Sequence, residues 1–369
     1  MSRHLHIVCW GAPWPADNSI SIDIFYTIEA LYKQSIKIHL HYFCTDPNCH
    51  PTELNKYCES VHPYHSNQQK KGNPLITCNS SNEMAAALSN DNYPVLFEGI
   101  GCTAALKQIA DLNKKIIVRM YNDECRYHNH LTKSYGSFFQ KMNLNRRTHE
   151  IKKYEDSLPK NCLYAFSNSD DAVYFREDHQ LPTVCSLPVF DPFETVASKT
   201  GLGNFCLYHG DLSDPDNEKA AIWLLTKVFN EISTPLVIAG RQPGRQIRKL
   251  AELYSHTCLI VDPSQGEMED LIGKAHINVL PSFSNKRPEL KLVHAILNGR
   301  HCITNDTAVS GTALESACHV GKNANAFKSI ILQLYHQPFE QEEIDLRKRI
   351  FLSIKEEAPV NKLVKWLFD

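Results

Sequence analysis

The feature that most constrains the fold is a regular alternation of short apolar segments with amphipathic helical segments. HLHIVCW at residues 4–10 is followed, after a Gly/Pro-rich loop, by ISIDIFYTIEALYKQ, whose apolar residues recur at helical spacing. IKIHLHYF at 36–43 then alternates strictly, as a strand with one buried face does. Parallel strands can be joined only by crossovers, which are usually helical. The sequence therefore predicts an α/β fold built on parallel sheets with crossover helices.

The alternation stops between Leu187 and Gly203, where LPVFDPFETVASKTGLG holds two prolines, two glycines and no sustained periodicity. It starts again with NFCLYHG, a helical segment and PLVIAG. A length of 369 residues also suggests two domains. We therefore predict two facing Rossmann-like domains, 1–190 and 191–355, and a final helix, 356–369, that packs back on the first. Ligands of such sheets bind at the carboxyl ends of the strands, so the cleft between the domains is the expected site.

Composition excludes several classes of protein. Lys and Arg number 39 against 41 Asp and Glu, so no overall basic charge argues for a nucleic-acid partner. No apolar run approaches the ~18 residues that a membrane-spanning helix needs, although attachment to a membrane surface is left open. The 13 cysteines are odd in number and scattered, and the N-terminal residues MSRHLHIVCWGAPW are too short and interrupted for a signal peptide. We expect reduced thiols in a cytoplasmic protein.

One group of thiols and imidazoles has to be weighed as a metal site: Cys44, Cys49, His50, Cys58, His62 and His65. Its spacings match no zinc pattern with paired short-gap ligands. We interpret the segment as a loop rich in Cys and His beside a helix, and we predict no metal site.

Polar residues follow several of the predicted strands of the first domain. Gly11 permits a tight turn, and Asp17 and Asn18 stand at a helix start, where they either help to bind an anion or simply cap the helix. Glu98 lies beside two glycines at a strand end, where a carboxylate hydrogen-bonds sugar hydroxyls or caps a helix.

The segment VRMYNDECRYHNH crowds polar groups at another strand end, among them Arg119, Asn122, Glu124 and His128. General acid/base chemistry or sugar-hydroxyl binding is one interpretation. An ordinary exposed polar loop is the other.

Two strand ends of the second domain carry glycines and basic residues. Gly210 is followed by a helix start that contains Lys219, and a lysine there is placed to meet a phosphate. Gly240 is followed by Arg241, whose guanidinium pairs with phosphate through two hydrogen bonds. Neither G-x-G-x-x-G nor G-x-x-x-x-G-K-[ST] occurs, so no standard phosphate loop is present.

RPELKLVHAILNGRHCITND at 287–306 predicts a helix and then a strand. Its apolar residues form one helical face, while Lys291 and His294 are three apart and neighbours on the helix surface. We expect that edge to face a ligand, with Gly299 allowing a tight turn into the strand at Cys302.

The order of these segments resembles the GT-B glycosyltransferases, most closely family 4, the retaining enzymes that use nucleotide-sugars. LYHGDLS…EKAAIWLL, PLVIAGRQPG and INVLPSFSNKRPELKLVHAILNGRHCITND resemble their donor-nucleotide domain. APWPADNSISIDIFYTIEALYKQSIKIHLHYF, PVLFEGIGCT and VRMYNDECRYH resemble the acceptor domain. The resemblance covers nearly the whole chain.

The resemblance assigns roles to single residues. Lys219 matches the family lysine on the donor diphosphate, and Arg241 matches a basic position of some members. The family's E-x7-E pattern places one Glu near the donor sugar and one on the ribose, and here these positions hold Lys286 and His294. The family's Gly-Arg after the first strand becomes Gly210-Asp211. His294 can remake a ribose contact because imidazole both donates and accepts hydrogen bonds.

The resemblance implies a metal-independent reaction, because basic side chains and a helix N-terminus stabilise the leaving diphosphate. The nucleotide-sugar is a substrate and no cofactor is expected; GDP and UDP are not distinguished. No pair of catalytic carboxylates is expected, and none is evident.

We predict a hexosyltransferase of polysaccharide biosynthesis that acts with retention on a saccharide or lipid-linked acceptor. The alternative is a degenerate GT-B protein that binds a glycan or partner without turnover, and a nucleotide-sugar epimerase of the same fold is a third. The expected residues are catalytic Asn122, Glu124, Lys219 and Arg241; donor-binding Gly11, Asp17, Asn18, Gly210, Gly240, Lys286, Arg287, Lys291 and His294; and acceptor-binding Glu98, Arg119 and His128.

The final segment PVNKLVKWLF is amphipathic, with Lys362 and Lys365 among apolar residues. We favour a helix that docks on the first domain, since a helix on a membrane surface needs a longer basic face. Peripheral contact with the inner face of the membrane is left open.

Overall fold

The computed structural model shows two compact units, Met1–Pro192 with Ala358–Asp369, and Phe193–Glu357. The residues that it describes are 2–16, 18–46, 51–66, 81–121, 123–126, 128–129, 138–167, 169–188, 190, 195–283, 290–309, 312–356 and 359–369.

The first unit is built on a seven-stranded sheet in the order β3-β2-β1-β4-β5-β6-β7, with every strand pair parallel. Its strands are β1 His4–Cys9, β2 Lys37–Cys44, β3 Ser60–His65, β4 Val95–Glu98, β5 Ile116–Met120, β6 Leu163–Phe166 and β7 Val184–Ser186. Its helices are α1 Ser19–Lys33, α2 Asn82–Ser89, α3 Leu106–Ile109, α4 Phe138–Glu155 and α5 Ser169–His179, with 3-10 turns at Thr52–Lys56 and Ile100–Ala105.

The second unit is built on a six-stranded parallel sheet in the order β10-β9-β8-β11-β12-β13. Its strands are β8 Cys206–Asp211, β9 Leu236–Arg241, β10 Thr257–Val261, β11 Ile277–Val279, β12 His301–Thr304 and β13 His319–Val320. Its helices are α6 Pro215–Trp223, continued by a π-turn at Leu224–Val228, α7 Arg245–Ala251, α8 Gln265–Lys274, α9 Leu290–Asn298, α10 Asp306–Val309, α11 Ala324–Leu334 and α12 Gln341–Glu356, with a 3-10 turn at Ala313–Ala317. Both sheets confirm the predicted parallel α/β architecture.

The last helix, α13 Pro359–Phe368, belongs to the first unit although it follows the second in the sequence. Leu363 and Leu367 are buried in the same apolar cluster as Ile24 and Ile28 of α1. Their spacing of four residues places both on one face of the helix, and burial of such a face is the main source of helical stability.

The prediction of a Cys- and His-rich loop up to His65 was wrong at its C-terminal part. Residues Ser60–His65 form the edge strand β3, which pairs with β2 through His39↔Ser60 and the residues that follow. Pro63 argued against a strand in the sequence, because proline cannot donate a backbone hydrogen bond to a neighbouring strand. An edge strand tolerates proline, since one side of its backbone needs no partner in the sheet. Cys49 and His50 lie outside the described residues.

Among the described residues, no helix is long and apolar enough to cross a membrane.

Candidate functional site

The carboxyl ends of β8 and β9 approach each other closely at two glycines. Gly210 pairs with Gly240, and the next pair is Asp211 with Arg241. A Cβ on Gly240 would lie 1.9 Å from the carbonyl oxygen of Gly210, far inside van der Waals contact. Glycine is therefore required at 240 because the two backbones are in contact.

Helix α6 starts directly beyond these strand ends because the local sequence caps it. The Asp214 carboxylate accepts hydrogen bonds from the backbone N–H groups of Asp216 (2.8 Å) and Asn217 (3.4 Å), and Pro215 occupies the first helical position. Both features favour a helix start. Asp211 accepts from the backbone N–H and hydroxyl of Ser213, at 2.9 and 2.6 Å, which fixes the loop between the strand and the helix.

Asn217 connects α6 with α9. Lys291 Nζ donates to Asn217 Oδ1 at 2.6 Å, and Asn217 Nδ2 donates to the backbone oxygen of Asp211 at 3.0 Å. The Tyr208 hydroxyl donates to the Asn217 backbone oxygen at 3.0 Å, and Lys291 Nζ lies 5.5 Å from the centre of the Tyr208 ring. Lys291 is therefore held beside the end of β8. Sequence reasoning missed Asn217, whose only signal is its position at the start of a helix after a glycine turn.

Lys219 is exposed on α6, and its Nζ lies 5.3 Å from the centre of the Phe283 ring. An ammonium group over an aromatic face is attracted by the ring quadrupole. Phe283 lies in the segment that follows the carboxyl end of β11, a strand parallel to β8. The contact therefore directs the Lys219 side chain toward the carboxyl ends of the strands.

Two histidines add neutral polar groups to this region. Burial lowers the pKa of His209 well below its usual value, and the nearby His294 and Lys291 lower it further. Burial also lowers the pKa of His294, although Glu269 opposes the shift. Both rings are therefore uncharged at neutral pH, and His209 Nε2 is buried with no hydrogen-bond partner in the part of the chain that the structure describes.

The second unit thus brings several predicted residues to one edge of its sheet. Gly210 and Gly240 form the strand contact, Lys291 and His294 approach it from α9, and Lys219 approaches from α6. Arg241 is exposed at the end of β9. Lys286 and Arg287 lie outside the described residues. The arrangement presents cationic side chains at strand ends, which suits an anionic ligand such as a diphosphate.

Gly299 ends α9 for a packing reason. A Cβ there would lie 2.2 Å from Asn278 Nδ2 and 2.7 Å from the backbone oxygen of Ala295. Glycine is therefore required at 299 because Asn278 and the backbone of α9 pack against it, and its predicted role in a tight turn into β12 stays a prediction.

In the first unit, the helix start after β1 is a capping box. Asn18 Oδ1 accepts from the backbone N–H groups of Ile20 and Ser21, and the Asn18 N–H donates to the Ser21 hydroxyl. Of the two interpretations of Asn18, the structure shows the cap. A Cβ on Gly11 would meet no atom within 4 Å, so space does not require glycine there. Asp17 lies outside the described residues.

Arg119 and Glu98 belong to a buried polar group around Asp23. Arg119 is 0 % exposed and donates to Asp23 Oδ1 at 2.9 Å and to Thr27 Oγ1 at 3.0 Å. Glu98, 1 % exposed, lies 3.7 Å from Arg119 Nη1 and accepts from the Tyr121 hydroxyl at 2.8 Å. Burial raises the pKa of Asp23, which Arg119 opposes. Such burial disfavours direct acceptor binding by these two side chains, and this role remains a prediction.

The remaining predicted residues of the first unit follow β5. Glu124 and His128 are half-buried, and Asn122 lies outside the described residues. Burial lowers the pKa of His128, and Arg147 lowers it further. Their catalytic and acceptor-binding roles stay predictions.

No protein-family model and no curated protein sequence matches the chain. Solved structures do match. A variant of TarM from S. aureus, in complex with fondaparinux, alpha-GlcNAc-glycerol and UDP, has a TM-score of 0.71 at 8% identity over 100% of both chains. HepE from Anabaena, in complex with UDP and glucose, has a TM-score of 0.61 at 11% identity over 99% of this chain and 98% of its own.

An alpha-glucosyltransferase in complex with UDP-glucose and DNA containing an abasic site has a TM-score of 0.62 at 11% identity over 100% of both chains. At these identities the likeness shows the fold. The chain has the two-domain parallel α/β fold of the GT-B glycosyltransferases, as its sequence resemblance predicted.

Proposed function

We propose that the protein is a glycosyltransferase that transfers a hexosyl group, with retention, from a UDP-sugar to a saccharide or lipid-linked acceptor. The observation that carries the proposal is the set of cationic side chains, Lys219, Arg241 and Lys291, at the carboxyl ends of the strands of the second unit. Ligands of parallel α/β sheets bind at such ends. The presence of UDP in the matching TarM and HepE structures supports a uridine nucleotide as the donor.

The donor diphosphate is the group that these cations fit. Lys219 and Arg241 are both exposed, so their charges are available to phosphate oxygens. When the sugar–phosphate bond breaks, negative charge grows on the departing diphosphate, and preorganised cations stabilise that charge. Lys219 and Arg241 therefore act on the leaving group.

His294 suits the ribose of the donor. Burial keeps its ring neutral, so that one nitrogen donates and the other accepts a hydrogen bond. Lys291, held by Asn217 at 2.6 Å, adds a positive charge on the same side of α9. His294 stands at the position of one of the two family glutamates, and Lys291 lies one helical turn before it.

Retention follows if the acceptor hydroxyl attacks from the face that the diphosphate leaves, with the phosphate accepting the hydroxyl proton. In that reaction the cations carry the charge stabilisation, and no second carboxylate is needed. The catalytic roles of Asn122 and Glu124 stay predictions.

A binding protein without turnover is the second candidate, and Asp211 favours it. This carboxylate stands at the strand end where the family has an arginine, and it lies next to Arg241 in the sheet register. A negative charge beside a diphosphate weakens donor binding by repulsion.

Calorimetric titration with UDP, UDP-glucose, UDP-GlcNAc and GDP tests the donor site. We expect UDP to bind and Lys219→Ala to weaken that binding about 10–100-fold, the value of one charge-assisted hydrogen bond. Lys249→Ala is the matched control, because Lys249 is an exposed lysine in the last turn of α7. That turn leads into the amino end of β10, away from the carboxyl ends of the strands. Equal losses in the two variants would refute the assignment of Lys219.

Turnover is measured separately as UDP release from each UDP-sugar, with saccharides, lipid-linked glycans and duplex DNA as acceptors. DNA is included because the matching alpha-glucosyltransferase was solved with it. UDP release that depends on an acceptor supports the transferase. Tight UDP binding without release from any donor would instead support the binding protein.

A further inference from the structure

Three metal-ligating side chains converge in the second unit, apart from the strand ends described above. They are His301, the first residue of β12; His319, the first residue of β13; and Glu343, in the first turn of α12. One ligand atom from each lies within 4.8 Å of the other two. None of them belongs to the proposed donor site.

The His301 ring is oriented with a lone pair toward this point. Its Nε2 lies 3.1 Å from the backbone oxygen of Gln337, and since a carbonyl only accepts, Nε2 carries the proton. Nδ1 is therefore the unprotonated nitrogen. It is buried without a hydrogen-bond partner among the described residues, on a side chain that is 0 % exposed. A metal-ligating histidine is normally oriented by such a hydrogen bond from its other nitrogen.

One oxygen of the Glu343 carboxylate is also fixed by a hydrogen bond. Oε2 accepts from the backbone N–H of Glu340 at 3.1 Å, which leaves Oε1 facing His301 Nδ1 at 3.5 Å. Two lone-pair-bearing atoms thus face each other, Nδ1 on a fully buried side chain and Oε1 on one that is 33 % exposed. A cation or a proton between the two atoms satisfies both lone pairs.

The third side chain distinguishes these two cases. His319 pairs with Ile303, two residues after His301 on β12, so both rings stand on the same side of the sheet. Their ring centres are 5.6 Å apart. A shared proton would need only His301 and Glu343, whereas a metal ion needs a third ligand.

We propose that His301, His319 and Glu343 bind a divalent transition-metal ion, with Zn²⁺ as the expected metal. Bonds of about 2.0–2.2 Å in a tetrahedral site place neighbouring ligand atoms about 3.4 Å apart, close to the separation of His301 and Glu343. The ligand atom of His319 lies within 4.8 Å of both. Two imidazoles and one carboxylate are a common zinc ligand set, and a water completes the coordination.

The surroundings allow a metal ion to enter. His319 and Glu343 line a surface pocket together with Cys318 and Arg347, so these two ligands are open to solvent. Arg347 adds a positive charge, but its guanidinium donates to the backbone oxygens of Ile296 and Gly299, at 2.6 and 2.7 Å. The Glu343 carboxylate offsets that charge at the site.

Zinc uptake by the full chain tests the proposal. After removal of metals with EDTA, we expect titration with Zn²⁺ alone to show one ion bound per chain, and Co²⁺ to give the intense visible absorption of a tetrahedral site. Glu343→Gln and His319→Ala should each weaken binding at least about tenfold. Glutamine can still accept the Glu340 hydrogen bond, and His319 is only half-buried, so both variants are expected to fold.

Matched controls are Glu342→Gln and His336→Ala, which change an exposed carboxylate and an exposed imidazole close to the site in sequence. They should bind Zn²⁺ as the unmodified chain does, and all four variants should keep the urea unfolding midpoint of the metal-free unmodified chain, which reports an intact fold. The proposal is overturned if the unmodified chain binds no Zn²⁺, or if Glu343→Gln and His319→Ala bind it as tightly as the controls.

Discussion

Each sheet carries an acid–arginine pair at the carboxyl ends of two neighbouring strands, and the surroundings of the two pairs are opposite. In the first unit, β4 and β5 end with Glu98 beside Arg119; in the second, β8 and β9 end with Asp211 beside Arg241. Glu98 and Arg119 are 1 % and 0 % exposed, whereas Asp211 and Arg241 are both exposed. The two pairs therefore have similar residues in direct register, but only the second pair is exposed to solvent.

Burial is what separates the two pairs. A buried guanidinium needs acceptors from the protein itself. Arg119 donates hydrogen bonds to Asp23, to Thr27 and to the backbone oxygen of Pro188. Arg241 is exposed at the end of β9, where a ligand can reach its guanidinium. A buried acid–arginine pair at a strand end is therefore part of the hydrogen bonding inside the protein, whereas an exposed pair lies where a ligand can reach it.

The largest effect is expected from a substitution that breaks the buried pair. Arg119→Leu leaves the Asp23 and Glu98 carboxylates buried without their cation, so we expect the free energy of unfolding of the first unit to fall by about 3–5 kcal/mol. Arg241→Leu is the matched variant and should change it by no more than about 0.5 kcal/mol. Urea denaturation measures both. Equal effects would show that the two strand ends do not differ as described.

A smaller effect is expected from the strand contact of the second unit. Gly240→Ala forces a Cβ to within 1.9 Å of a backbone oxygen, and such overpacking costs about 1–3 kcal/mol in the free energy of unfolding. Gly266→Ala, in α8, meets no atom within 4 Å and should be neutral or stabilising by about 0.5–1 kcal/mol. Thermal melting compares them. A Gly240→Ala variant as stable as Gly266→Ala would contradict the close approach of β8 and β9.

The third effect depends on pH and concerns the first sheet. His41 is buried between His6 and the Tyr64 hydroxyl, each 2.9 Å from one of its ring nitrogens. Burial, followed by the neighbouring His6, lowers the pKa of His41 to about 2. The unfolded chain therefore binds a proton that the folded one does not, and the stability from this group is present above about pH 6.5 and is lost as pH falls below it.

Removing the His41 imidazole should reduce the loss of unfolding free energy at low pH. We expect His41→Gln to reduce the pH dependence of the unfolding free energy between pH 6 and 4 by up to about 1.4 kcal/mol per pH unit, the value of one proton. His336→Gln, at an exposed position, is the control. Parallel pH profiles for His41→Gln and the unmodified chain would contradict the assignment.

The elements that could be predicted from sequence are those whose pattern is local. The apolar rhythm of α9 predicted a helix with a buried face, and Leu292 and Ile296 are buried in it. The apolar run PLVIAG gave β9 because a strand buried on both faces is recognisable by its length and flanking residues. The edge strand β3, with histidines and a proline in place of an apolar face, has no such pattern.

The partners of polar side chains could not be predicted, because they come from distant parts of the chain. Arg119 is buried against Asp23, 96 positions earlier, and Lys291 binds Asn217, 74 positions earlier. The ligands proposed for zinc come from two strands and a helix rather than from one short-gap motif. Such contacts depend on the strand order of each sheet, which the alternation of segments does not specify.

The docking of α13 on the first unit has a consequence for the order of folding during synthesis. Leu363 and Leu367 complete an apolar core whose other residues lie before the second unit in the sequence. The ribosome therefore releases all of the second unit before the first can bury that face. Domains usually fold in N-to-C order, but here the second unit has its whole sequence available while the first still lacks a helix. A nascent chain of this protein would expose that uncovered patch to chaperones until its final helix is made.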